Sequence, residues 1–468
     1  MAQEPILQSF IGGRWVGQHG AQALRSALNG QTVARTHEEA LDFAEAVAHA
    51  REQGLKELMS MDFQQRAQRL KALALYLTER KEQLYEISRH SGATRADSWI
   101  DIEGGAGTLF AYAGVGGREL PSGNVVHEGP AMPLGKTGKF AGSHILVPRG
   151  GIAVHINAFN FPIWGMLEKF APSFLAGMPC IVKPATATSY ITEAAVRVMH
   201  ESGLLPAGSL QLIIGGTGDL LDRLQGQDIV TFTGSADTAA KLRVNPNLIR
   251  NSVPFNAEAD SLNCAILAPD VTPDDEEFDL FVKEVAREMT VKAGQKCTAI
   301  RRAIVPAKRI DAVAERLRER LAKVVVGDPS VEGVKMGALA SHAQQTDVAE
   351  RVEALLKSSE LVFGAKDGFA PRGDGVAEGA FFAPTLLRSR DPHAEGGAHD
   401  IEAFGPVTTL MAYDDIDEAV ALAARGKGSL VASLITRDPQ VAAKVVPVMG
   451  ALHGRLHICL LYTSPSPR

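Results

Sequence analysis

The sequence is short of cysteine, has no concentration of aromatic residues and carries no large excess of either charge. Its four cysteines, Cys180, Cys264, Cys297 and Cys459, are widely scattered and include no C-x-x-C pair. That spacing excludes the common zinc arrangements, so no metal site is expected. It offers no disulfide framework either, which suits a reducing cytoplasm. Aromatic residues make up 6% of the chain and the formal net charge is −6. Neither a nucleic-acid partner nor a membrane-surface partner is expected from such a balance. No apolar run reaches membrane-spanning length. The opening Met-Ala-Gln-Glu-Pro lacks the basic and apolar regions of a secretory signal, so a cytoplasmic protein is expected. What is present, 45% hydrophobic and 22% charged residues over 468 positions, is the balance of a soluble globular protein of roughly three domains.

The first hundred residues read mainly as helix. Ala, Leu and charged residues recur at helical spacing from Thr36 to Leu58. A second helix is predicted from Asp62, a good N-cap. It sets Phe63, Ala67, Leu70, Ala74, Leu77, Leu84 and Ile87 along one stripe and ends at Gly92. Residues 120–148 are loop-rich, and a β-hairpin or an excursion used in subunit contact would both fit. From Gly151 the pattern changes. "GIAVHIN", "MPCIVKP", "LQLIIGG" and "DIVTFTGS" are short apolar runs, followed by helix-like segments from near Pro162, Thr188, Asp219 and Ala236. Such alternation predicts a parallel sheet covered on both faces. A second series follows: "NCAILAP", a helix over Phe281–Val291, "AIVP" and a helix over Asp311–Val324. The fold class is therefore α/β, in two successive units without solenoid repeats. The last ten residues, "CLLYTSPSPR", continue no earlier pattern. They read as a junction or out-of-frame artefact, and Cys459 is given no function.

In "VKAGQKCTAIRR" Cys297 stands between a Gly-Gln turn and a basic run formed by Lys296, Arg301 and Arg302. Cationic neighbours favour the thiolate, the form that attacks electrophiles. A half-buried inert thiol is the alternative. His155 reads as a core residue, so no histidine base can be placed beside the thiol. Glu258 lies 39 residues before Cys297 and is an acidic candidate for the base. "NAFNFP" puts Asn160 where the first apolar strand ends, either as an N-cap or aimed at an oxyanion. Gly216 in "IIGGTGDLL" sits in a strand-to-helix glycine turn. Phe232, Gly234 and Ser235 in "FTGS" put a glycine and a hydroxyl at a helix N-terminus, a favourable place for phosphate. Lys183 in "IVKPAT" ends another strand, where it could reach a ribose or phosphate or simply be solvated.

In their order, "NAFNFP", "VKPA", "FTGS", a glutamate, "GQKC" and "EAFGPV" resemble the motifs of the aldehyde dehydrogenase superfamily, and the resemblance covers roughly residues 5–457. More narrowly, "SGATRADSWIDIEGG", "HINAFNFPIWGMLEK", "VKPATATS", "EADSLN" and "REMTVKAGQKCTAIRR" look like the aldehyde dehydrogenase part of the bifunctional ring-opening enzyme of bacterial phenylacetate degradation. The semialdehyde dehydrogenases of the benzoyl-CoA epoxidation pathway share several of these stretches. The resemblance implies two successive Rossmann-like domains. Residues 1–256 would bind NAD(P) and include an oligomerisation excursion at 119–148; residues 257–445 would be catalytic; residues 446–468 would be a truncated C-terminal return.

The same resemblance implies that Cys297 attacks the aldehyde carbon, that Asn160 and the Cys297 N–H hold the oxyanion, and that Glu258 later activates water. Glu402 and Phe404 would touch the nicotinamide ribose and ring. The substrate would be a CoA-linked semialdehyde of the 3-oxo-5,6-dehydrosuberyl-CoA type, with the 3,4-dehydroadipyl-CoA semialdehyde as the alternative. Two departures from the wider family stand out. Ala259-Asp260-Ser261 follows Glu258 in place of Leu-Gly-Gly. Thr186 stands where many NAD-dependent members carry a glutamate for the ribose 2′-OH, which favours NADP, with NAD as the alternative. Family members continue beyond His457 into a segment that completes the oligomerisation sheet. A homo-oligomer is thus expected for the full-length family, weakened here by truncation and with an exposed edge at 119–148. Rival readings are a broad aldehyde dehydrogenase, an inactive nucleotide-binding fragment and, more distantly, a cysteine hydrolase.

Overall fold

The computed structural model describes residues 4–364 and 369–459. The chain divides into two compact units. The first comprises residues up to Arg25, Gln31–Ser88 and Ser98–Ala259; the second comprises Ser26–Gly30, Arg89–Asp97 and the chain from Asp260 onward.

The first unit opens with strands, which corrects the helical reading of this region. β1 (Ser9–Ile11), β2 (Arg14–Val16), β3 (Gly20–Arg25) and β4 (Thr32–His37) precede the first helix. That helix starts at Phe43, capped by the Asp42 carboxylate, and passes through a π-helical turn at Ala50–Gly54 to end at Met59. Strands of three to six residues are held by their ladders, β1 on β2 and β3 on β4, and ladder pairing leaves no local period to read. The predicted N-cap is present. Asp62 and Gln65 form a capping box at the start of helix Phe63–Glu79, an arrangement that contributes about 1 kcal/mol. Phe63, Ala67, Leu70, Ala74 and Leu77 are buried on its inner stripe. The helix stops at Glu79 and resumes over Lys81–Ser88, so it is not one element reaching Gly92. Between residues 120 and 148, β5 (Val126–His127), β6 (Met132–Leu134), β7 (Phe140–Gly142) and β8 (Ile145–Leu146) pair antiparallel, β5 with β8 and β6 with β7.

The sheet of this unit is built from the predicted apolar runs: β9 (Ala153–Ile156), β10 (Cys180–Lys183), β11 (Leu210–Leu212), β12 (Ile229–Thr233) and β13 (Phe255–Glu258). Its order is β13-β12-β9-β10-β11-β1-β2. The first five strands are parallel and β1 closes on β11 antiparallel. Helices Trp164–Leu175 and Ser189–Glu201 bury Phe170, Phe174, Ile191 and Val198 in the core, which is why β9 and β10 read as continuous apolar runs. The segment expected as a helix after Asp219 is only a 3-10 turn, Leu220–Arg223. The chain lays down β9, β10 and β11 in one direction, then returns to the other side of β9 with β12. Strand order therefore reverses between β9 and β12, where open α/β sheets leave a crevice for ligands.

The second unit holds β14 (Cys264–Leu267), β15 (Arg302–Pro306), β16 (Ser359–Phe363), β17 (Thr385–Ser389), β18 (Val407–Tyr413), β19 (Val431–Ile435) and β20 (Arg455–Cys459). Their order is β16-β17-β18-β15-β14-β19-β20, parallel except for β16 on β17. Helices Glu276–Thr290 and Ile310–Leu321 begin within five residues of the predicted starts. Cys459 pairs with Ile435 at the end of β20, so pattern persists through that residue; the rest of the proposed artefactual tail, 460–468, lies outside the described residues. Among the described residues no helix is long and apolar enough to cross a membrane.

Candidate active site

In the first unit the parallel sheet gathers most of the predicted site residues at one edge, because consecutive parallel strands end on the same side. Asn160 follows β9, Lys183 ends β10, Gly216 follows β11, Gly234 and Ser235 follow β12, and Glu258 ends β13. Asn160 and the Gly234–Ser235 turn flank the reversal of strand order.

The turn carrying Asn160 is fixed from both sides. Asn157 N donates to Lys183 O at 3.0 Å, and the Thr188 hydroxyl donates to Phe159 O at 3.0 Å. The helix beyond begins at Trp164, not at Pro162. Its first amides, Ile163 N and Trp164 N, donate to the Asp101 carboxylate at 3.1 and 2.8 Å. Asp101 thus does the work of an N-cap. That removes the capping role offered for Asn160, whose residue is only 6% exposed.

Ser235 is the N-cap of helix Ala236–Arg243, its hydroxyl accepting from Thr238 N at 3.3 Å. Gly234 N donates to Glu258 O at 3.1 Å, and Glu258 is paired with Thr233. A Cβ on Gly216 would meet no protein atom closer than Gly218 N at 4.0 Å, so packing does not demand glycine there; on Gly218 it would strike the Phe43 ring. Lys183 is half-buried, and burial pulls its ammonium pKa down. Thr186 begins the 3-10 turn Thr186–Thr188. The Phe232 ring is buried, stacked on Phe255 at 6.4 Å. His155 is a core residue, as read from the sequence. Its Nε2 lies 3.2 Å from the Ser173 hydroxyl, and burial lowers the imidazole to about 3, so it stays neutral.

In the second unit Cys297 is half-buried, whereas Cys180 and Cys264 are enclosed and burial pushes their thiols up. The loop leading to Cys297 is left-handed at three successive residues, Lys292, Ala293 and Gly294, with φ of 55°, 51° and 68°. Two of these are not glycine, at a cost of about 1–2 kcal/mol each. Anchors offset it. Lys292 N donates to Asp97 Oδ1 at 2.7 Å; the Gln295 side chain donates to Lys292 O at 3.0 Å and accepts from Ala340 N at 2.9 Å. Asn263 Nδ2 donates to the carbonyls of Cys297 and Ala299 at 2.8 and 3.0 Å, pinning the backbone on either side of Thr298.

The basic run beside Cys297 does not form the cationic setting expected of it. Lys296 Nζ lies 2.7 Å from both oxygens of Glu288. Arg301 pairs with Glu402, Nε to Oε1, at 3.1 Å. Arg302 is fully buried and donates to Leu262 O, Leu422 O, Ala423 O and His399 Nδ1. Its charge serves to join β15 to the segments around it. Glu402 also accepts from Ser261 N at 3.0 Å; burial raises its pKa while Arg301 opposes the shift. Phe404 lies with its ring centroid 5.2 Å from the Arg301 guanidinium carbon, and its carbonyl accepts from Gln344. Among the described residues no three His, Cys, Asp or Glu come together as a metal-binding group.

Sequence reasoning missed Asp101, Asn263, Gln295 and the part played by Arg301. The only available signal was position: Asp101 lies in "SWIDIEGG", Asn263 closes "EADSLN", and Gln295 and Arg301 lie within six residues of Cys297. Chemically, the first unit offers a helix N-terminus, a lysine and a side-chain-free glycine turn suited to nucleotide phosphates. The second offers a half-exposed thiol on a pinned backbone.

The Aldehyde dehydrogenase family model matches residues 15–453. A 3,4-dehydroadipyl-CoA semialdehyde dehydrogenase from Aromatoleum evansii is 43% identical over 97% of this chain and 88% of its own length. Among solved structures, betaine aldehyde dehydrogenase from Staphylococcus aureus in complex with NAD+ superposes with a TM-score of 0.83 at 22% identity, over 97% of this chain and 86% of the other. An NADP-dependent enzyme from E. coli gives 0.83 at 23% identity, over 97% and 89%. Those two likenesses show the fold. The family model and the 43% relative go further: this chain belongs to the aldehyde dehydrogenase family and is an NAD(P)-dependent oxidoreductase of aldehydes.

Proposed function

We propose that the protein oxidises a CoA-linked semialdehyde to the carboxylic acid with NADP, through a covalent intermediate on Cys297. The observation that carries this reading is the half-exposed Cys297, held by Asn263 through its own carbonyl on a loop that leaves the thiol as the accessible cysteine of "GQKC".

In the first half-reaction the Cys297 sulfur bonds to the aldehyde carbon. The carbonyl oxygen becomes an oxyanion, held by the Asn160 amide and the Cys297 N–H. The nicotinamide nucleotide, when bound, supplies the hydride acceptor, and loss of hydride from that carbon leaves a thioester on Cys297. In the second half-reaction Glu258 takes a proton from water as its oxygen attacks the thioester, and the Cys297 thiolate leaves. The residues present fit such a nucleotide. Ser235 heads a helix N-terminus, Gly216 leaves room for close backbone approach, and Lys183 supplies positive charge at the same sheet edge. Thr186 favours NADP, since no carboxylate at that position would repel a 2′-phosphate.

Two acyl chains compete for the substrate role. The 43% relative's name supports the 3,4-dehydroadipyl-CoA semialdehyde. The motif resemblance from "SGATRADSWIDIEGG" to "REMTVKAGQKCTAIRR" supports the ring-opened semialdehyde of phenylacetate degradation. Steady-state kcat/KM for both thioesters and for a simple aliphatic aldehyde, each with NADP and NAD, tests the proposal. A CoA thioester preferred by at least about tenfold (about 1.4 kcal/mol) with NADP is expected; equal kcat/KM for the simple aldehyde would contradict it.

A further inference from the structure

We infer that Arg301 is a positioning residue that locks the loop before Cys297 and the Glu402–Phe404 segment into one arrangement. The inference rests on the reading that Cys297 is the nucleophile and that Glu402 and Phe404 face the nicotinamide side of the cofactor. The contacts themselves lie within the second unit.

Arg301 spreads its donors over both segments. Its Nη2 donates to Gly294 O at 2.9 Å and Lys296 O at 3.3 Å, the two carbonyls that bracket Gln295 in the nucleophile loop. Its Nη1 donates to Gly405 O at 2.8 Å and its Nε to Glu402 Oε1 at 3.1 Å. The same guanidinium carbon stands 5.2 Å from the centroid of the Phe404 ring. These are the two segments whose backbones touch: a Cβ on Gly294 would lie 2.1 Å from Gly405 O, and Gly294 has a φ of +68°. Only glycine admits that approach, and Arg301 bridges the carbonyls on both sides of it.

The clamp is itself held. Arg301 N donates to Asn263 O, Thr409 N donates to Arg301 O, and Asn263 also fixes the Cys297 carbonyl. The Arg301 and Glu402 side chains are 4% and 8% exposed, so water does not compete for their bonds. Each Glu402 oxygen accepts one protein donor, from Arg301 or Ser261, and a carboxylate oxygen has a second lone pair for a ribose hydroxyl. Arg301 therefore orients an acceptor that remains usable, and its charge opposes the upward push of burial on that carboxyl. A lysine cannot reproduce this, because its donors radiate from one atom and cannot reach four carbonyl or carboxylate positions in a fork.

The test compares Arg301→Met, Arg301→Lys, Glu402→Gln and the Arg301→Met/Glu402→Gln double variant by kcat, by the two KM values and by thermal unfolding. In folded Arg301→Met the KM for NADP should rise at least about tenfold with a lower kcat, while the aldehyde KM stays within about twofold. Glu402→Gln should raise the same KM, and the double variant should lose little more than the worse single, because the two side chains act as a unit. Arg301→Lys should recover only part of the loss. A folded Arg301→Met with an unchanged NADP KM would overturn the inference, as would single losses that multiply in the double variant. If Arg301→Met does not fold, Arg301→Lys decides: parent-like KM values and kcat overturn the inference, and the NADP-specific KM rise supports it. Cys297→Ala separates the layers. Activity surviving in it defeats the reading beneath, whereas an inactive Cys297→Ala beside a parent-like Arg301 variant defeats this inference alone.

Discussion

Replacing Asn263 by aspartate reverses the polarity of one buried atom while leaving the side chain's shape unchanged. Asn263 is fully enclosed. Its Oδ1 accepts from the Ser261 hydroxyl at 2.6 Å and Val431 N at 3.0 Å, bonds an aspartate can keep. Its Nδ2 donates to Cys297 O and Ala299 O, and there aspartate sets an oxygen against two carbonyl oxygens. The folded variant can lose both bonds, at about 1–3 kcal/mol for each donor withdrawn from a buried carbonyl. Or it can take up a proton, which restores one bond but costs about 4 kcal/mol at pH 7 for a carboxyl with an ordinary pKa near 4. The first route gives a deficit of about 2–6 kcal/mol and the second about 5–7 kcal/mol at pH 7. The pH dependence has a definite sign. The introduced carboxyl has a raised pKa in the folded state, so the deficit grows as pH rises above its unfolded pKa. Between pH 7 and 5.5 the proton-uptake cost falls by about 2 kcal/mol. Urea unfolding of the parent and Asn263→Asp at both pH values measures it. A deficit below about 1 kcal/mol at pH 7, or one that grows on acidification, would refute the reasoning.

Glu258→Gln should release about one equivalent of reduced nucleotide in a burst and then stall, since the hydride step precedes the need for a base; stopped-flow absorbance reads this, and sustained turnover would count against the assignment. Thr186→Glu should shift the NADP/NAD ratio of kcat/KM toward NAD by about tenfold or more through repulsion of the 2′-phosphate, measured by steady-state kinetics. Phe140 is 75% exposed on the β6–β7 hairpin beside exposed Met132 and Leu134; if that hairpin mediates self-association, Phe140→Asp should lower the weight-average mass seen in sedimentation at a fixed concentration.

What could be read in advance follows from where each signal resides. β9, β10 and β14 were legible because strands buried on both faces are apolar at nearly every position, and that shows locally as "AVHI", "CIVK" or "CAIL". β1 to β4 were not, because Phe10 finds its partner in Trp15 and in Leu212, 202 residues away. The Asp62 cap was visible because both of its hydrogen bonds close within three residues. Asp101, capping a helix 62 residues downstream, was invisible for the opposite reason. The basic run misled in the same way. Lys296, Arg301 and Arg302 look like a cationic field in one dimension, but Glu402 lies 101 residues from Arg301, and the carbonyl acceptors of Arg302 carry no sequence signature.

Covalent chemistry at Cys297 is most directly tested by trapping the acyl group. Glu258→Gln, mixed with NADP and the CoA-linked semialdehyde, quenched in acid and digested, should carry the acyl mass as a thioester on the peptide containing Cys297. Reduced nucleotide formed without any adduct on that peptide, or with the acyl mass on Cys180, Cys264 or Cys459, would contradict it.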